Sequence, residues 1–248
     1  MVDSDIEFDH PDTILNTIKE LDGNPSAYVV VDLPLKDIVK KQKKSLIERI
    51  SLSASDERFK GPVGIAGSFY CARSEILRAI WMPAGLPGED GFLKAMIVTD
   101  LFRSEVDMCR LVRAQNASHF YEAESTILGI FRHELRLVIG TALNCYFTWD
   151  FLKFATDPKG PGAGILIRDC LEENPNWYKD YITNEIRNRG FWVLPRGMLF
   201  RRFSALSRSN ALQRISKFPF ALVAFVFDVL VFMAANRRLK RGEGIGFW

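Results

Sequence analysis

A β-branched run, Tyr28 to Leu33 (YVVVDL), closed by Pro34, follows a helical run, Asp12 to Leu21 (DTILNTIKEL), across the stop Asp22-Gly23-Asn24-Pro25. A strand that apolar needs cover on both faces, and a proline cannot extend a central ladder. The helical run sets Ile14, Leu15, Ile18 and Leu21 on one side, with Asp12 or Thr13 placed to cap it. Ahead of it, Met1-Val2 runs at once into Asp3-Ser4-Asp5 and reads as the end of a truncated strand. Strand, helix, strand in that order predict a layered α/β domain. The abrupt opening predicts that the chain starts inside a domain whose earlier strands lie upstream.

Further along, Asp37 to Ile50 (DIVKKQKKSLIERI) reads as a second amphipathic helix with a solvated lysine face, and Ser51 to Lys60 as a polar linker. Gly61 to Ala72 (GPVGIAGSFYCA) reads as a strand in which Gly64 and Gly67 permit close backbone approach, followed by a short helix, Arg73 to Trp81. Cys109 to Tyr121 reads as a strand pair, or one strand with a turn at Gln115-Asn116. Glu124 to Phe154 is a long apolar helical stretch, interrupted by Gly129 and Gly140, with Arg132, His133 and Arg136 at neighbouring positions of one face.

After Asp157-Pro158-Lys159-Gly160 the composition changes: Trp177, Tyr178, Tyr181, Phe191, Trp192, Phe200 and Phe203 alternate with arginines, the make-up of a membrane-interface segment. Phe218 to Ala235 is an 18-residue apolar run with one acid, Asp228, and basic flanks. It reads first as a borderline spanning or re-entrant segment, with a helix lying in the interface, a tight hairpin or a buried soluble helix as the alternatives. These shifts predict three regions: 1–155, an α/β domain; 156–212, a basic, aromatic and helical region; and 213–248, a hydrophobic helix with a basic tail.

A net charge of +3 is too small to argue for nucleic acid, but the acidic first thirty residues and the Arg and Lys crowded between Arg187 and Arg241 suit an anionic membrane surface. Cys71, Cys109, Cys145 and Cys170 are scattered, with no CxxC, which predicts free thiols.

The chemistry lies with the acids. In Gly85-Leu86-Pro87-Gly88-Glu89-Asp90-Gly91-Phe92, a Pro/Gly loop delivers two adjacent acids to the start of a run with helical spacing. Such acids serve a helix N-terminus in any case, and Asp-x-Asp pairs arise in ordinary turns. If Asp3 and Asp5 stand on a strand, however, they share a face and could address one divalent cation, Mg²⁺ or Mn²⁺, on a substrate diphosphate. His119 reads either as a satisfied structural histidine or as part of a metal shell, and Arg73 either as an anion clamp or as a partner of Glu75 or Asp56.

From Val2 to Thr141 the chain resembles the second half of a family 2 glycosyltransferase catalytic domain, the inverting GT-A type. The resemblance is carried in order by DSDIEFDHPDTI (Asp3 to Ile14), YVVVDLP (Tyr28 to Pro34), GSFYCARSEIL (Gly67 to Leu77), GEDGFL (Gly88 to Leu93) and HFYEAESTILGIFRHELRLVIGT (His119 to Thr141).

It implies a partial GT-A fold, a Rossmann-like mixed sheet without its N-terminal nucleotide-binding half. It also implies that Asp3 and Asp5 hold a nucleotide-sugar diphosphate through a metal, that Asp90 is the general base and that Glu89 orients it. Gly67, Arg73, His133 and Arg136 would lie at the donor and acceptor sites. The partners implied are a nucleotide-sugar donor, a lipid-linked or polysaccharide acceptor and the cytoplasmic face of a membrane.

Two departures bear on this. Processive members carry Q-x-x-R-W where this chain has His133, Arg136 and Leu137, which argues against a polymerising synthase. The half that binds the nucleotide base is not represented, which predicts weak donor binding by this chain alone. The rival readings are a non-catalytic, membrane-anchored remnant whose acids are structural, and a metal-dependent phosphohydrolase or nucleotidyl transferase, which would need no second acid some 85 residues on.

Overall fold

The structure, a computed structural model, describes residues 1–45, 48–49, 52, 63–195, 197–201, 203 and 211–243. The described elements are β1 (Glu7–Phe8), α1 (Thr13–Gly23), β2 (Val29–Lys36), β3 (Tyr70–Ala72), α2 (Ser74–Arg78), α3 (Glu89–Val98), β4 (Leu111–Tyr121), α4 (Ile127–Asn144), α5 (Ala163–Glu173), α6 (Trp177–Asn188) and α7 (Ala211–Lys240). The four strands form one mixed sheet in the order β1-β4-β2-β3. In it β2 runs parallel to β4 and antiparallel to β3, while β1 pairs antiparallel with β4. The α/β expectation therefore holds in this coarse form.

The valines of YVVVDL make β2 the central strand: Val29, Val30 and Val31 are buried, with apolar residues of β3, β4 and α3 around them. The irregularity expected at Gln115-Asn116 is a bulge inside one continuous strand. Between the pairs Val31/Arg113 and Leu33/Ser118, β2 has one residue, Asp32, where β4 has four, and Asn116 takes a φ of +51°. Such an insertion bends a strand and re-aims its side chains.

The sequence places α1 correctly but turns it the wrong way. Thr13, Thr17 and Leu21 face the sheet, while Ile14, Leu15 and Ile18 are each more than 40% exposed. The buried threonines cost little because their hydroxyls are satisfied: Thr17 donates to the carbonyls of Thr13 and Ile14, and Thr13 donates to the carbonyl of His10. Asp12 makes no side-chain cap.

The amino-terminal acids differ from expectation too. Val2 makes one isolated bridge to Phe69, and the chain then turns at Ser4-Asp5, so Asp3 and Asp5 do not share the face of a strand. The helix expected over 37–50 is a 3₁₀ turn at Asp37–Lys40 followed by irregular chain to residue 45, and the rest of that run falls largely outside the described residues, as does the 51–60 linker apart from residue 52.

The long helix forms as expected. Thr126 caps it by accepting from the Gly129 amide at 3.0 Å, and it continues beyond α4 through a π-helical stretch, Cys145–Leu152, to Ala155. Neither glycine breaks it.

One hydrophobic core runs from Leu86 to Leu239 and joins α3, α4, the π-helical stretch, α5, α6 and α7. Its members come from all three of the regions expected from the sequence. The aromatic residues assigned to an interface segment mostly build this core: Tyr178 packs edge-on against Phe147 at 5.0 Å and Tyr181 against Phe151 at 4.8 Å, although Phe191 is 84% exposed.

The apolar run near the C-terminus lies within α7, and among the described residues no helix is long and apolar enough to cross a membrane. One face of α7, Asp228, Val231, Phe232, Ala235 and Leu239, is buried against the protein. Arg201 ties it down, reaching Asp228 at 3.2 Å and Glu134 of α4 at 2.8 Å. With no helix among the described residues fit to cross a membrane, the spanning reading is corrected. The acid tolerated in the run is the helix's anchor to the protein. All four cysteines are free thiols.

Candidate functional site

Helix α3 begins at Gly88, which sits in the left-handed region at φ +67° and so admits a side chain only with strain. Asn144, at the end of α4, holds this loop by donating from its amide to the carbonyls of Pro87 at 2.8 Å and Gly88 at 2.6 Å. Beneath the loop lies Gly140, where an added Cβ would come within 3.4 Å of the Gly88 Cα. The two backbones therefore touch with no side chain between them. The Pro/Gly loop thus delivers Glu89 and Asp90 to the first turn of α3, as the sequence predicts.

Asp90 turns inward. Its Oδ1 is buried and has no hydrogen-bond partner among the described residues. Burial, then the neighbouring Glu89 charge, then Asp3 push its carboxyl up to about 6, with the Gly67 backbone amide acting in the opposite direction.

Asp3 reaches this place because its amide donates to the Ser68 carbonyl at 2.8 Å, and the Met1 carbonyl accepts from the Tyr70 amide at 3.2 Å. Tyr70, buried beside them, has its hydroxyl pKa raised by burial first and then by Asp90 and Asp3. The chain's first residues and the start of α3 therefore meet across Gly67 to Tyr70. Asp5, in the turn beyond, is exposed and does not appear among the charges acting on Asp90 or Tyr70.

Other candidates are engaged elsewhere. Arg73 points away from any anion site: its guanidinium donates to the carbonyls of Ala27 at 2.8 Å, Leu21 at 2.8 Å and Asn24 at 3.1 Å, which ties the end of α1 to β3. These carbonyls take the place that the clamp reading gave to an anion, and Asp56, one of the two acid partners expected, lies outside the described residues. His119 has both ring nitrogens engaged, with Asp32 and with Ser68, so the structural reading holds over that of a metal ligand. On α4, His133 is half-buried, and Arg136 is exposed one turn before Gly140.

Among the described residues no three His, Cys, Asp or Glu side chains converge on a point that could hold a metal ion. Sequence reasoning passed over Asp32, Ser68 and Asn144. Asp32 and Asn144 did carry a signal: each is a lone polar residue in an apolar run, and a buried polar group needs a partner. No family model matches the chain, and no curated protein matches it either.

Proposed function

We propose that this chain belongs to a membrane-associated, inverting glycosyltransferase that moves a sugar from a nucleotide-sugar donor to a lipid-linked or polysaccharide acceptor. The observation that carries the reading is Asp90: a carboxylate at a helix start, with a buried oxygen unpartnered among the described residues and a pKa pushed up to about 6. A base so tuned is ionised at neutral pH yet holds a proton better than an ordinary carboxylate. It takes the proton of the acceptor hydroxyl as that oxygen attacks the anomeric carbon from the face opposite the departing nucleoside diphosphate, which inverts the centre. Glu89, exposed beside it, supplies negative charge that raises Asp90 further.

Asp3, with Asp5 two residues on, would hold a divalent ion, Mg²⁺ or Mn²⁺, against the donor diphosphate. Such an ion commonly uses one or two carboxylates and completes its shell with phosphate oxygens and water. When bound, it offsets charge on the leaving phosphate.

Membrane association draws support from α7. Opposite its buried face, Leu222, Val223, Val226, Leu230 and Met233 are all between 47% and 72% exposed, and the helix ends in Arg237, Arg238 and Lys240. Apolar residues beside a basic end suit the interface of an anionic bilayer.

The test is slow hydrolysis of a panel of nucleotide sugars by the full open reading frame, followed by Asp90→Asn. The substitution is expected to abolish transfer while sparing donor binding. Retained turnover removes Asp90 from the role of base. Failure to turn over any donor favours a non-catalytic membrane-bound module, a reading supported by the structural engagement of Arg73 and His119.

A further inference from the structure

One buried polar group is a chain of three side chains from three segments. The His119 Nδ1 lies 2.7 and 2.9 Å from the two Asp32 carboxylate oxygens, and its Nε2 lies 2.9 Å from the Ser68 hydroxyl. Asp32 and His119 are 1% and 0% exposed. The bulge in β4 makes the arrangement possible. His119 stands opposite Pro34 on β2, and Asp32, two residues before Pro34, shares its face. With the carboxylate accepting from Nδ1–H, Nε2 is left to share a hydrogen bond with the Ser68 hydroxyl.

The same order of groups serves nucleophilic catalysis in hydrolases. Two observations count against that use here. The imidazole is sealed off from solvent, with the Phe69 and Tyr121 rings 6.5 and 6.4 Å from it. Ser68 also stands between acids: its carbonyl accepts from the Asp3 amide, and an added Cβ on the adjoining Gly67 would meet Asp90 Oδ1 at 2.8 Å. An oxyanion formed there would face carboxylates, where acyl transfer needs hydrogen-bond donors.

What the chain does reach is the short segment that both acids touch. We propose that His119 is a positioning residue: oriented by Asp32, it grips the Ser68 hydroxyl and so fixes the Gly67–Ser68 turn, which holds the Asp3 backbone on one side and closes over Asp90 on the other. The functional meaning of this device rests on the reading of Asp3 and Asp90 as the site, but its geometry can be tested without any activity.

The test is amide hydrogen exchange by NMR on the whole chain. Ser68→Ala is expected to speed exchange of the Asp3 amide about tenfold while leaving the Val30 amide inside the sheet unchanged, and Ser68→Thr, which restores a hydroxyl, is expected to return Asp3 to its original rate. If the alanine variant also loses protection at Val30, Ser68→Cys is read in its place, with a smaller acceleration at Asp3 expected.

In a protein with measurable transfer, Ser68→Ala should lower kcat through Asp90 and raise the donor KM through Asp3, and Ser68→Thr should restore both. An Asp3 amide that exchanges equally in the wild type and the alanine variant overturns the proposal, as does labelling of Ser68 by a fluorophosphonate, which would mark a nucleophile. Faster Asp3 exchange, when the product of the full open reading frame turns over no donor, supports the positioning role and removes the glycosyltransferase reading, so the two fail separately.

Discussion

Gly67 and Asp90 stand so close that a methyl group on the glycine would lie 2.8 Å from the Oδ1 of the aspartate. Only a residue without a Cβ lets this carboxylate stay where it is. Gly67→Ala is therefore expected to swing the Asp90 side chain toward water and bring its pKa down from about 6 toward the ordinary carboxylate value of about 4. A carboxyl-carbon NMR titration reads the change. An unmoved Asp90 would mean that the loop, rather than the acid, gives way.

Asp90 also weakens the fold at neutral pH. Its folded pKa lies above its unfolded one, so the native state binds the extra proton, and stability falls as pH rises from below 4 through 6. Asp90→Asn removes this burden. Urea unfolding at pH 8 should show the variant more stable by roughly 2 kcal/mol, with the gain gone below pH 4. A gain independent of pH would assign the effect to packing.

Asn144→Ala frees the carbonyls of Pro87 and Gly88 from their donor. The expected loss is about 1–3 kcal/mol in chemical denaturation, together with slower transfer, because the first turn of α3 is no longer held. If stability drops and transfer does not, the loop's position matters to the fold alone.

Arg201 holds α7 to α4 through Asp228, which is fully buried, and Glu134. Arg201→Met removes one charged hydrogen-bond donor from a buried carboxylate and should cost about 1.5–3 kcal/mol. Adding Asp228→Leu to it should recover most of that loss, as read by the thermal midpoint. No recovery would show that packing, rather than charge, holds the helix.

On the outer side of α7, the pair Val226→Glu and Leu230→Glu is expected to abolish cosedimentation with vesicles containing phosphatidylglycerol while leaving circular dichroism unchanged, since both residues are more than half exposed. Binding that survives both acids would place the membrane contact elsewhere.

Local signals in the sequence carried the elements, while contacts between distant segments decided how they face. The GEDG start of α3, the valines of β2 and the single long helix could be read because loop chemistry, β-branching and helical spacing act within a few residues. The orientation of α1 could not, because satisfied threonine hydroxyls let Thr13 and Thr17 take the inner face in place of three isoleucine and leucine residues. The Asp32–His119–Ser68 chain joins residues 87 and 51 positions apart, and Arg73 is claimed by carbonyls 46 to 52 residues earlier. Helix α7 looked like a membrane span because apolar residues cover its whole circumference. In the structure half of that surface meets the protein core.

The bare contact between Gly88 and Gly140 has an evolutionary reach. Enlarging either position pries α3 away from α4 and drags Asp90 with it, so the two sites are not free to diversify singly. In any lineage that keeps this acid at work, positions 88 and 140 should both stay glycine, and relatives that have lost the glycines should have lost the aspartate as well.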